Sequence, residues 1–140
     1  SLGLILDREI HYFDAALKEP DAESYYRVNF DWWLEQTNRE FLSCHYSNLG
    51  IAYYQKGELD LAIEAYKKAI QINPDDADAY FNLGVAYFHM ARKLEGEGNR
   101  KQALQMYQNA LDEFRMASKL GCQDASQAIL LLQEKIEGLE

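Results

Sequence analysis

The feature that most constrains the fold is a repeat with a period of 34 residues. Six residues recur at this spacing in one register, and the pairs are Tyr46 and Tyr80, Asn48 and Asn82, Leu49 and Leu83, Gly50 and Gly84, Ala52 and Ala86, and Tyr53 and Tyr87. Six matches in one register make chance an inadequate explanation. A repeat of this length predicts a small structural unit that buries its apolar face by stacking on its neighbours.

The first copy shows what one unit contains. Apolar residues at three- and four-residue spacing predict a helix, and a second such stretch follows Gly57, at Leu61, Ala62, Ala65, Tyr66, Ala69 and Ile70. Pro74 disfavours the helical conformation at Asn73, and the aspartates at 75 and 76 can cap the next helix. The unit is therefore predicted to be helix, tight turn, helix and capped turn.

These residues give the chain a resemblance to the tetratricopeptide repeat family. The family pattern is aromatic-x-x-Leu-Gly-x-x-Tyr, then Ala-x-x-x-aromatic, then Pro. Residues 43–76 contain each of its elements, at Tyr46, Leu49, Gly50, Tyr53, Ala62, Tyr66, Ala69 and Pro74. The resemblance implies an all-α fold, a right-handed α-solenoid of antiparallel helix pairs. We predict about seven helices in a single domain over residues 1–140.

Residues 77–123 are predicted to form a second, longer repeat. Its first helix matches the pattern, but Ala-x-x-x-Phe-x-x-Ala returns only at Ala110, Phe114 and Ala117, which inserts 14 residues. A turn at residues 96–99 would divide that insertion between two lengthened helices, about two turns each. An alternative alignment through Ala103, Tyr107 and Ala110 inserts seven residues. The first alignment is preferred because residues 121–124 then take the place of residues 73–76.

The flanks do not repeat. Residues 1–42 predict one helix near 3–19, ended by Pro20, and another near 22–36, which complete the core as non-repeat helices; an alternative places the first of them in the binding groove as an internal ligand. Residues 124–140 predict a capping helix with a core stripe of Ala125, Ile129, Leu132, Ile136 and Leu139. Leu130 and Leu131 widen the apolar surface of this helix. Either the helix is a cap with some exposed apolar surface, or these leucines contact another subunit or a further repeat.

The resemblance also implies where binding would occur. In this family the first helix of each repeat lines a concave groove, and the matching positions are Cys44, Ser47, Ile51, Tyr54 and Gln55 in the first repeat and Asp78, Phe81, Val85, Phe88 and His89 in the second. The groove lacks the Lys and Arg with which some members clamp an anionic C-terminus. Its apolar residues favour a peptide or amphipathic helix of a partner protein. The alternative is that several of them pack against each other or against the N-terminal helix.

Composition and motifs exclude other classes. The chain has 140 residues, nearly half of them apolar, and a net charge of −9, which disfavours nucleic acid and membrane surfaces as partners. Cys44 and His45 are adjacent and point about 100° apart on a helix, so they do not form a nucleophile–base pair. We expect no enzymatic activity, no cofactor, no metal site and free thiols at Cys44 and Cys122. We expect a cytoplasmic protein. Because the sequence begins at Ser1 and not at a methionine, it can be a domain excised from a longer chain.

Two further alternatives stay open at this stage. One is a self-associating assembly protein, a homodimer formed through the C-terminal apolar face or through insertion of the N-terminal helix. The other concerns the basic residues Arg92, Lys93, Arg100 and Lys101, which flank the predicted turn of the long repeat. They form either a solvated tip of mixed charge or a contact for an acidic partner.

Overall fold

The computed structural model describes residues 23–140, with side chains described from residue 32 onward, and over this range the predicted all-α class is confirmed. Five helices are present there, and they are α1 (Glu23–Gln55), α2 (Leu59–Ile72), α3 (Ala77–Gly96), α4 (Arg100–Lys119) and α5 (Gln123–Leu139). The helix predicted near residues 3–19 lies outside the described residues. The chain divides into two compact units, Ser1–Leu42 and Ser43–Glu140. The helix pairs and the candidate site belong to the second unit.

The prediction of about seven helices is wrong in one respect. The helix expected near residues 22–36 and the first helix of the first repeat are a single helix, because α1 runs without interruption from Glu23 to Gln55. The physical reason is that residues 23–49 contain neither proline nor glycine, so nothing in that stretch breaks the helix where the repeat begins.

Three turns between helices share one construction. A glycine with positive φ follows the helix end, at Gly57 (81°), Gly98 (84°) and Gly121 (101°). The N–H of the next residue then donates to a carbonyl five residues back, in the pairs Glu58 to Tyr53, Asn99 to Leu94 and Cys122 to Ala117. Glycine adopts this left-handed conformation without a steric penalty, and the bond satisfies a carbonyl at the helix end. Turns this short make α1–α2, α3–α4 and α4–α5 antiparallel neighbours.

The start of α3 is also specified locally. The carboxylate of Asp76 accepts hydrogen bonds from the backbone N–H groups of Asp78 (3.1 Å) and Ala79 (3.2 Å). An aspartate in this position satisfies two of the N–H groups that a helix leaves free at its first turn. The capped turn predicted after Pro74 is thus present.

Small residues let the helices pack closely. Among residues 32–140, eight alanines are completely buried, and they are Ala62, Ala69, Ala86, Ala91, Ala103, Ala110, Ala117 and Ala125. Two glycines make the closest approaches: a Cβ on Gly50 would lie 2.6 Å from Cε1 of Tyr66, and one on Gly84 would lie 2.8 Å from Cδ1 of Phe114. Phe114 therefore has the same place beside Gly84 that Tyr66 has beside Gly50. This correspondence matches the alignment through Ala110, Phe114 and Ala117.

Candidate peptide-binding groove

A first cavity of about 320 Å³ lies between α1 and α3. Its lining consists of Ile51, Tyr54 and Gln55 from α1, Tyr66 from α2, and Asn82 and Val85 from α3. The polar side chains among these are neutral amides and phenols. The cavity therefore offers apolar surface together with hydrogen-bonding groups that carry no charge at neutral pH.

A second cavity of about 340 Å³ lies between α3 and α5. Phe88 of α3 and Phe114 of α4 meet there with four residues of α5, which are Ala128, Leu131, Leu132 and Lys135. Apart from the lysine, every lining side chain is apolar. The second cavity is consequently the more hydrophobic of the two.

The two cavities are built in the same way, and together they are called the groove below. The first helices of successive pairs, α1, α3 and α5, supply the walls, and an aromatic ring from the second helix of a pair also lines each cavity. That ring is Tyr66 in the first cavity and Phe114 in the second. Each ring lies against a glycine, Gly50 or Gly84, that has no side chain to cover it. The repeated glycine thus lets the aromatic ring of the partner helix reach the groove.

One residue recurs at an equivalent position on all three walls. Val85 lies nine residues after Asp76, which precedes α3, and Leu131 lies nine residues after Cys122, which precedes α5. Ile51 lies one repeat, 34 residues, before Val85. The sequence analysis did not include Leu131 among the groove residues. Counting from the start of α5 instead of from the glycine motif would have found it.

The ten predicted groove residues fall into two sets. Five line the cavities, namely Ile51, Tyr54, Gln55 and Val85 in the first and Phe88 in the second. His89 joins them, because its ring lies 5.5 Å from the rings of both Tyr54 and Phe88.

The other four have different surroundings. Phe81 is half-buried and packs against Phe114, with ring centroids 5.4 Å apart, so its role includes core packing. Asp78 is exposed in the first turn of α3, and Cys44 is an exposed free cysteine on α1. The Oγ of Ser47 is buried and has no hydrogen-bond partner among the described residues. Assignment of these residues to the groove stays a prediction.

The charge state of the groove differs between its two cavities. Burial, and secondarily the charge of Arg92, lower the pKa of His89, so this ring is neutral at neutral pH. Burial raises the pKa of Tyr66 to about 12, which keeps the first cavity uncharged. Cations occur only at the second cavity, where Lys135 is part of the lining and the guanidinium of Arg92 lies 5.8 Å from the Phe88 ring centroid.

A polar network attaches α5 to the α3–α4 pair and so sets the width of the second cavity. The hydroxyl of Tyr107 donates to Oε1 of Glu95 at 2.7 Å, and Lys135 donates to Oε2 of the same carboxylate at 3.1 Å. Burial and the Glu95 carboxylate raise the pKa of Tyr107 to about 12. At the far end of α5, the guanidinium of Arg100 donates to the carbonyl of Leu139. A cation at a helix C-terminus is favourable because the carbonyls there are otherwise unpaired.

This network predicts a pH-dependent contribution to stability. The hydrogen bonds from Tyr107 and then Lys135 lower the pKa of Glu95, so the folded state favours the ionised carboxylate. Its contribution is present above the ordinary carboxyl pKa of 4.5 and is lost as the pH falls through the lower, folded-state value. We expect the free energy of unfolding in urea to decrease less on acidification from about pH 7 to about pH 3 in Glu95→Gln than in the native chain.

The matched control is Glu97→Gln, which changes an exposed acid two residues further along the chain. It should follow the native pH dependence. Identical pH dependence in the native chain and in Glu95→Gln would contradict the assigned role of the network.

The fold and the groove define the class of protein. Antiparallel helix pairs stacked through small residues, with the first helices lining a common groove, form a helical-repeat scaffold of the protein-interaction class. A family model described as TPR repeat matches residues 46–90, and one described as tetratricopeptide repeat matches residues 78–115. The chain is a tetratricopeptide repeat protein, with its repeats in the region from residue 46 to residue 115.

Curated relatives are similar to part of the chain. The chain is 29% identical over 73 residues to the photosystem I assembly protein Ycf3 of Rippkaea orientalis (strain PCC 8801 / RF-1). It is 33% identical over 73 residues to the protein of that name from Synechococcus sp. (strain CC9605) and 34% to that of Prochlorococcus marinus (strain MIT 9215). Each match covers 52% of this chain and 42% of the relative, so the chain spans less than half the length of these proteins.

Two solved structures are also similar. One is the first TPR of Spaghetti (RPAP3) bound to the HSP90 peptide SRMEEVD, with a TM-score of 0.38 and 17% identity over 70% of this chain and 95% of that chain. The other is the crystal structure of MamA, with a TM-score of 0.35 and 19% identity over 95% of this chain and 89% of that chain.

Two other features are absent from residues 23–140, the part of the chain that the structure describes. None of the helices described there combines the length and the apolar character that crossing a bilayer requires. Among residues 32–140, whose side chains are described, no three His, Cys, Asp or Glu side chains come together in a group that could hold a metal ion.

Proposed function

We propose that this chain is a scaffold whose groove binds an apolar peptide or an amphipathic helix of another protein. The observation that carries the proposal is the row formed by Ile51, Val85 and Leu131 at equivalent positions on α1, α3 and α5. Ile51 is 37% exposed and Leu131 is 62% exposed, although both line cavities. Exposed apolar side chains in a concave site favour a partner that covers them.

The size of the groove suggests the strength of binding. Covering one large apolar side chain contributes roughly 1.5–3 kcal/mol, so two anchors contribute roughly 3–6 kcal/mol before the entropic cost of association. Even without that cost, these contacts alone would correspond to a Kd between roughly tens of micromolar and several millimolar. Such affinity suits a protein that holds its partner temporarily. The relatives are named photosystem I assembly proteins, which agrees with a role of this kind.

The test compares two adjacent leucines of α5. Leu131 and Leu130 are exposed to nearly the same extent, 62% and 65%, but only Leu131 lines the second cavity. Immobilised native chain should enrich specific sequences from a phage-displayed library of random 16-residue peptides. We expect Leu131→Asp to reduce the binding of enriched peptides by about tenfold or more, because the charge occupies an apolar anchor site. Leu130→Asp should bind them as the native chain does.

A second pair of variants tests the first cavity. Ile51→Asp changes a wall of that cavity, whereas Leu61→Asp changes an α2 leucine of similar exposure, 40% against 37%, that does not line it. Phe81 and Phe88 are poor sites for such tests, since their rings pack against Phe114 and Tyr107. Circular dichroism must show native helicity in all four variants. Equal binding by Leu131→Asp, Ile51→Asp and their controls would refute the groove.

The alternative function is self-association, and the exposure of Leu130 together with Leu131 favours it. A second copy of the chain would then cover the apolar face of α5. Light scattering over a concentration series distinguishes the two functions. A mass that stays monomeric supports partner binding, and a dimer that Leu130→Asp dissociates supports self-association.

A further inference from the structure

We infer that the bound segment carries an acidic side chain next to the apolar side chain that enters the second cavity, and that Arg92 is the residue that pairs with it. The inference rests on the proposed function of the groove. Arg92 lies on α3 one helical turn after Phe88, and its guanidinium carbon is 5.8 Å from the centroid of the Phe88 ring. It is therefore placed beside the wall of the second cavity.

Arg92 has charge available for a partner. It is exposed, and among residues 32–140 no carboxylate lies within the 4 Å of an ion pair with it. The acid whose pKa it influences, Glu95, already accepts hydrogen bonds from Tyr107 and Lys135. A guanidinium beside an apolar cavity is suited to a carboxylate that arrives with an apolar side chain, because it can donate two parallel hydrogen bonds.

The structure separates Arg92 from the basic residues that surround it in the sequence. Arg100 donates to the carbonyl of Leu139, and Lys135 pairs with Glu95. Neither Arg92 nor Lys93 lines the second cavity, but Arg92 lies over the ring of Phe88, which does. Lys93 follows Arg92 directly, so its side chain leaves α3 about 100° away from that ring. Arg92 thus stands next to the groove without a carboxylate partner among residues 32–140.

The two cavities also set a spacing for the partner. They lie on either side of α3, and packed helices are roughly 8–10 Å apart. At about 1.5 Å per residue a helical partner covers this distance in about five to seven residues, and an extended partner at about 3.3 Å per residue covers it in about three. The first cavity is neutral, so the acidic residue should flank the anchor of the second cavity only.

The net charge of the chain limits how acidic the partner can be. A chain with a charge of −9 repels a strongly acidic segment before contact. At physiological ionic strength, fields are screened beyond about 8 Å, so a single carboxylate in direct contact with Arg92 gains more than it loses. We therefore infer one acidic residue within an apolar segment, not an acidic tract.

The experiment selects the random 16-residue library on three forms of the chain, the native form, Arg92→Gln and Lys93→Gln. From the native form and Lys93→Gln we expect peptides with two apolar residues at the stated spacing and Asp or Glu beside one of them. From Arg92→Gln we expect the apolar pair without the acid. In one enriched peptide, replacing the acid by its amide should weaken binding to the native form by about three- to tenfold and leave binding to Arg92→Gln unchanged.

The outcomes separate the inference from the function on which it rests. Enriched peptides that share an apolar pair and lack an acid overturn the role of Arg92 and leave the groove intact. If the peptides selected on Arg92→Gln still carry the acidic residue, the role of Arg92 is likewise overturned and the groove is left intact. A library that yields no enrichment, or enrichment that Leu131→Asp does not change, overturns the groove itself and the inference with it.

Discussion

Replacing Phe114 by alanine is expected to destabilise the chain by about 3–5 kcal/mol. The Phe114 ring is 4% exposed, lies against Gly84, packs on Phe81 and lines the second cavity, so its removal leaves a void at the point where α3, α4 and α5 meet. The loss is a large part of the 5–15 kcal/mol that holds a typical domain folded. Urea unfolding followed by circular dichroism would measure it.

Two comparisons make this expectation specific. Phe114→Leu retains an apolar side chain and should cost less, about 1.5 kcal/mol. Leu130→Ala removes a side chain that is 65% exposed, and it should change stability by no more than about 0.5 kcal/mol. If Phe114→Ala were as mild as Leu130→Ala, the ring would not be part of the packed core.

Gly84→Ala is expected to destabilise the chain by about 1–3 kcal/mol, although helix propensity alone predicts a gain of about 1 kcal/mol. A Cβ at this position would lie 2.8 Å from both Cδ1 and Cε1 of Phe114, well inside normal van der Waals contact. The ring is buried and packs on Phe81, so either it shifts towards the second cavity or α3 and α4 separate, and both movements disturb the core. The unfolding free energy in urea is again the measurement.

The matched control is Gly96→Ala, which makes the same change in the same helix. A Cβ on Gly96 would meet no atom within 4 Å, so this variant should be neutral or more stable by up to about 1 kcal/mol. Combining Gly84→Ala with Phe114→Leu should cost less than the sum of the two single changes, since the smaller side chain relieves the overlap. Equal stability of Gly84→Ala and Gly96→Ala would show that close approach does not require the glycine.

These two expectations also bear on binding, because the same pair of residues shapes the groove. The Phe114 ring lies against Gly84 and lines the second cavity, and the Tyr66 ring lies against Gly50 and lines the first. A residue that packs the helix pair therefore also provides groove surface. Core variants at these positions will weaken both stability and binding, whereas Leu131→Asp and Ile51→Asp should affect binding alone.

The sequence by itself determined the features that depend on a residue and its near neighbours. The 34-residue period and the pairing of glycine with an aromatic ring specified the helix pairs and the family. The glycines at 57, 98 and 121 end helices because their positive φ angles suit few other residues. Asp76 begins α3 because its own carboxylate reaches the N–H groups of the next turn. Each of these residues acts on the backbone within a few residues of itself.

Tertiary structure alone decided which distant side chains meet. Leu131 lines the groove because α5 starts in the same register as α3, and the residue at which α5 starts is established only by the folded chain. Arg92 and Arg100 both flank the α3–α4 turn in the sequence. In the structure Arg92 lies beside the second cavity, whereas Arg100 donates to a carbonyl at the C-terminal end of α5. The prediction placed a break between the helix near residues 22–36 and the first repeat, but α1 is uninterrupted. Helix propensity does not mark where a repeat begins. Contacts between helices depend on their mutual rotation and offset, which only the packed chain sets.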